Sequence, residues 1–114
     1  MQLVEISLDV FVSWLCSHEH EIIGFPGKCF DAPLARWLSE VTGHVFGVDG
    51  KWYGHALSEY ARWRLLPQWA EVFCAWAESC TYRSMTGREA LEVLAHVELA
   101  LAPMDVRQAC STAA

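Results

Sequence analysis

One dipeptide limits the folds open to this 114-residue chain more than any other feature. Asp49–Gly50 separates HVFGV from KWYGH, two runs rich in aromatic and β-branched residues. An Asp-Gly pair in that setting is the strongest short-range signal for a β-hairpin. With Asp49 and Gly50 as the turn, Val48 faces Lys51, Phe46 faces Tyr53 and His44 faces His55. Alternation puts all six on one side of the ribbon.

Most of the remainder repeats with a helical period. Leu8, Phe11, Trp14, Leu15 and His18 share a face, with Val4 one turn earlier. They predict a helix over about residues 5–17, entered through a short extended piece at 2–6. Gly24, Pro26 and Gly27 then break the chain. Asp31 is placed to cap a second helix, with Pro33 in its first turn and Gly43 at its end. Its expected buried stripe is Leu34, Trp37, Leu38 and Val41, with Arg36 and Glu40 on the wet face. Between residues 57 and 66, Ala61, Trp63 and Leu65 alternate with Arg62 and Arg64. That favours a third strand over a helix starting at Ser58. Trp69, Val72, Phe73, Trp76 and Cys80 follow Pro67 at helical spacing, and the breadth of their apolar arc predicts the central helix. Thr86 and Glu89 form a capping box for a last helix ending near Ala102. A loose tail is expected from about 104 to 114. These elements predict one α+β domain over residues 1–114, with about four helices around an antiparallel hairpin or three-stranded sheet.

Composition bears on function. Six Trp, five Phe and three Tyr exceed what a core this small can hide, so some aromatic surface is expected at a contact. A net charge of −6 argues against a nucleic-acid binder, which would carry a basic stripe. No apolar run reaches the roughly 18 residues of a membrane span, and the start lacks a basic leader. The five cysteines have no paired spacing and read as buried free thiols of a cytoplasmic protein.

Several residues could carry chemistry. Cys16, His18, His20 and Cys29 include common zinc ligands, but Cys16 and His18 point to opposite sides of a helix. The plainer reading makes His18 a helix end, where its ring suits the dipole. Cys29 precedes the second helix, whose dipole could lower its pKa, yet no local pattern ties a histidine to it. His44 and His55, if opposed, could share a metal but lack a third ligand. The residues therefore predict no enzyme, no cofactor and no metal centre. They point to a small acidic binding protein that acts through protein–protein contacts, on a partner or its own copy. Candidate contact residues are Trp52, Tyr53, Arg62, Trp63, Arg64 and Glu98. One concrete form is an inhibitor of the kind phages and mobile elements direct at host nucleases or defence complexes, an expectation resting on size and the absence of a catalytic site rather than on any motif. The alternative is a thiol-dependent or metal-binding domain using Cys29 or the His44/His55 pair. Glu98 raises its own question. On the last helix it falls among Ala90, Leu91, Leu94, Leu101 and Ala102, where a carboxylate needs a partner. Three explanations compete: the helix ends early and leaves Glu98 wet, Arg62 or Arg64 of the same chain pairs with it, or a second subunit does; the intrachain arginine is expected first and the second subunit next.

Overall fold

The computed structural model describes residues 6–80 and 83–101. The extended piece expected at 2–6 lies mostly outside them, as does the C-terminal tail. The order is α1 (Leu8–Ser17), β1 (Ile22–Gly24), α2 (Pro33–Thr42), β2 (Phe46–Asp49), β3 (Trp52–His55), a 3-10 turn (Tyr60–Arg62), β4 (Arg64–Leu65), α3 (Gln68–Cys80), β5 (Met85–Thr86) and α4 (Gly87–Leu101). The architecture is α+β, with β2-β3-β4 as a three-stranded antiparallel sheet and β1-β5 as a second, two-stranded one.

The helices start and stop for local reasons. Ser7 caps α1 by accepting the Val10 N–H. His18 closes it, its Nδ1 donating to the Trp14 carbonyl at 2.7 Å. Gly43 ends α2 in the left-handed region at φ 77°. At α4 the capping box is complete: Thr86 N–H donates to Glu89 Oε1 at 2.9 Å, and Glu89 N–H to Thr86 Oγ1 at 3.2 Å. Gly87 lies where a Cβ would collide with the His18 carbonyl and stand 2.8 Å from that of Leu15. Its N–H donates to Glu21 O, so α4 begins hard against the end of α1.

Phe11 is the hub of the core. Its ring lies 5.0 Å from Trp37, 5.4 Å from Phe73 and 5.7 Å from Trp69. Leu15, Leu34, Leu38, Met85, Leu94 and Val97 are the other large side chains buried completely. The tryptophans are therefore not the surface aromatics that composition suggested. Trp37 and Trp63 are buried and the other four half-buried.

Several expectations are corrected. The N-cap of α2 is Ala32, with no side-chain cap, because the backbone already turns the corner: Phe25 N–H reaches Asp31 O at 2.7 Å and Ala32 N–H reaches Lys28 O at 2.7 Å. The Asp31 carboxylate faces Arg36 instead. Val41 is exposed, since the buried face of α2 runs through Leu34, Ala35, Trp37 and Leu38. Helix α4, not α3, packs on two other helices, α1 and α3; only Ala70, Phe73 and Ala77 of α3 are buried. The third strand shrinks to two residues behind the 3-10 turn. Of the described cysteines, Cys16 and Cys80 are exposed rather than buried, and all four are free.

The hairpin is present with a shifted register. Asp49 pairs with Trp52, Val48 with Tyr53, Gly47 with Gly54 and Phe46 with His55. Gly50 and Lys51 are thus the central residues, and only Gly50 has positive φ, at 60°. A glycine at the first central position is the type II′ pattern. His44 is not opposite His55, although their rings come within 5.2 Å.

Candidate functional site

The register decides which side chains share a face. Val45, Gly47, Asp49, Trp52, Gly54 and Leu65 fall on one side of the sheet, and Phe46, Val48, Tyr53 and His55 on the other. The second side belongs to the core: Val48 is buried, and Phe46 and Tyr53 pack against it. The first side carries two facing glycines, which leave a flat slot. Trp63 fills it. A Cβ on Gly47 would lie 2.6 Å from Trp63 Cη2 and 2.8 Å from Phe30 Cε1, and one on Gly54 would collide with the indole outright.

Trp63 therefore serves the fold, and its buried Nε1 has no acceptor. Tyr60 stacks on it at 5.0 Å and donates to Asp49 Oδ2 at 3.2 Å. Trp52 and Tyr53 are half-buried on β3, while Arg62 and Arg64 are exposed. Of the sequence-derived contact residues, Trp52, Tyr53 and Arg64 lie on the strands of this sheet, Arg64 opposite Tyr53, and Trp63 lies against its glycine face. Glu98 does not join them. It is exposed, and no ion pair joins it to Arg62 or Arg64. The buried arc of α4 is Ala90, Val93, Leu94 and Val97. Val93 and Val97 swing the arc so that Glu98 sits roughly 80° from Ala90.

Next to the slot is an open groove of about 500 Å³, lined by Trp14 and His18 of α1, Glu21, Ile22 and Ile23 at β1, Phe30, Arg36, Ser39 and Glu40 of α2, and Val45. Five separate stretches build it, so no local pattern announced it. Ser39 fixes the wall between α2 and the hairpin: its Oγ donates to Ala35 O and accepts the Phe46 N–H at 2.9 Å. The Trp14 indole N–H is hydrogen-bonded to Glu40 Oε2. Glu40 Oε1 faces His18 Nε2 at 4.0 Å. Arg36 lies 3.9 Å from Asp31 and 5.3 Å over the Phe25 ring.

Groove and slot form one surface. Ile22, Phe30 and Val45 are 52%, 51% and 57% exposed at the groove. Phe30 reaches Gly47 beside Trp63, Tyr60 covers Trp63, and Leu65 follows opposite Trp52. Five of the exposed large apolar residues thus fall on one continuous face. No family model, curated protein or solved structure matches the chain.

The chemistry-bearing candidates are placed less favourably. Cys29 lies four residues before Pro33, too far to feel the dipole of α2 as expected. Burial, then Asp49, push its thiol pKa up, against a smaller lowering by the backbone N–H of Val48. That is opposite to an activated nucleophile. Cys16 and His20 are exposed and His18 is committed at the helix end. Among the described residues no three His, Cys, Asp or Glu side chains converge as a metal would require. His55 Nδ1 accepts the Leu57 N–H at 3.0 Å. A ligating imidazole usually donates from its second nitrogen, so this bond would have to break for Nε2 to bind a metal. Among the described residues no helix is long and apolar enough to cross a membrane.

Proposed function

We propose that this protein is a small non-enzymatic binding protein that acts by covering a surface on another protein. The observation that carries this is the continuous face from Ile22 through Phe30, Val45 and Tyr60 to Leu65. Singly exposed apolar residues are ordinary, but a contiguous set beside a groove is the mark of an interface. The half-buried aromatics beneath it give rigid support of the sort that anchors contacts. The acidic chain suits a partner with basic surface, and a cytoplasmic inhibitor of a larger protein or complex is the concrete form we favour.

Affinity capture with single-site variants tests this reading. Phe30→Asp and Leu65→Asp place charge on the face, and Leu99→Asp places it on an exposed apolar residue of α4 that does not line the groove. The expected result is one stoichiometric partner, retained by wild type and Leu99→Asp and lost with the other two. Equal retention by all four proteins would remove the face from the function.

A further inference from the structure

We infer that the groove takes a basic segment of the partner carrying one or two large apolar side chains. This rests on the protein-binding reading above and adds the chemistry of what is bound. The apolar half of the assignment comes from the lining: Trp14, Ile22, Phe30 and Val45 offer hydrocarbon, and about 500 Å³ matches one or two large side chains in scale.

The charge follows from which groups at the rim are already engaged. Arg36 is the only permanent cation of the lining, and it is held by Asp31 and the Phe25 ring. His18 spends Nδ1 on the Trp14 carbonyl. The anions are less occupied. Glu21 is exposed, and no cation pairs with it among the described residues. Glu40 is also exposed, and the Trp14 indole holds it in place at the groove edge. A carboxylate has about four acceptor sites, so Glu40 keeps capacity for a donor from outside. A positioned carboxylate also loses little freedom when a cation arrives. The net charge of −6 attracts the same class of partner from a distance. A second copy of this chain would bring another −6 and is the poorer occupant.

Fluorescence anisotropy with three labelled peptides tests the proposal: GKRFLRKG, its charge-reversed form GEDFLDEG, and GKRSSRKG, which lacks the apolar pair. GKRFLRKG should bind best, and binding should weaken with added salt. Glu21→Gln and Glu40→Gln should each weaken it by up to about fivefold, the scale of one exposed ion pair. Both carboxylates are exposed, and a glutamine at 40 still accepts the Trp14 N–H, so both variants should fold. Ile22→Ser and Val45→Ser should weaken binding as well. The proposal is overturned if GKRSSRKG binds equally, if GEDFLDEG binds better, if both Gln variants bind as wild type, or if GKRFLRKG fails to bind near ~1 mM. Any of these with the Phe30 and Leu65 dependence of partner capture intact would leave the protein-binding reading standing. Loss of that dependence would sink the reading itself.

Discussion

At the scale of single residues, the tightest constraint is the pair of glycines under Trp63. Gly47 and Gly54 face each other across the hairpin, and the indole occupies the space both leave. Gly54→Ala drives a methyl into Cγ and Cδ1 of a ring that is itself wedged against Gly47 and Tyr60. The expected cost is about 1–3 kcal/mol, the range for overpacking, measured by denaturant unfolding. Wild-type stability would mean that Trp63 is not seated on the sheet. The thiols make a second prediction at this scale. Burial, then Glu78 and Glu71, push the Cys74 pKa up to about 12. Alkylation needs the thiolate, so Cys74 should stay unmodified at pH 8 while the exposed Cys16 and Cys80 react. Mass mapping after iodoacetamide treatment decides this, and rapid modification of Cys74 in the folded protein would refute it. The linked effect on stability has a definite sign. A raised folded pKa favours the neutral thiol, so its contribution is whole below the unfolded value near 8.5 and is lost as pH rises toward about 12.

At the scale of elements, α4 carries the clearest expectations. Thr86→Ala removes half of the capping box and should cost about 0.5–2 kcal/mol in thermal unfolding. Glu98→Leu should change stability by less than about 0.5 kcal/mol, because Glu98 is exposed and forms no ion pair among the described residues. A large loss would restore the buried ion pair that the sequence suggested. Glu98 also shows where legibility ends. The last helix and its cap were readable because capping and periodicity are local. Its buried arc was misplaced because Val93 and Val97, which are buried, were not counted. The hairpin follows the same division. Asp-Gly announces a turn, but which two residues lie at its centre depends on the ladder, and the ladder is set by Trp63 needing Gly47 opposite Gly54. Strands β1 and β5 were unreadable, having three and two residues and no alternation to detect. The groove was hidden for a third reason: each stretch gives it one to three side chains, and only packing brings them together. Trp63 was singled out as a contact residue, yet the exposed partners around it, Phe30 and Tyr60, were not.

At the scale of the whole molecule, the question is what covers the exposed face, and net charge separates the two candidates. A different, basic protein would be attracted by the −6 of this chain, whereas a second copy would be repelled by it. Salt screens both effects, with a Debye length of about 10 Å at 0.1 M falling to about 3 Å at 1 M. Added salt should therefore weaken the complex with a basic partner and strengthen any homodimer. The expected outcome is a captured partner whose release rises steadily between about 0.05 and 0.5 M salt, while the protein alone sediments as a monomer over the same range. Leu65→Asp and Phe30→Asp add negative charge as well as removing apolar contact, so they should lower partner affinity without lowering the melting temperature, since both side chains are more than half exposed. Their effect on the fold should be small because neither belongs to the buried set around Phe11. A wild-type dimer that tightens with salt and dissolves on Leu65→Asp would assign the same face to a second copy and set aside the basic partner. The apolar face would then still be an interface, but the carboxylates at the groove rim would oppose the contact rather than guide it.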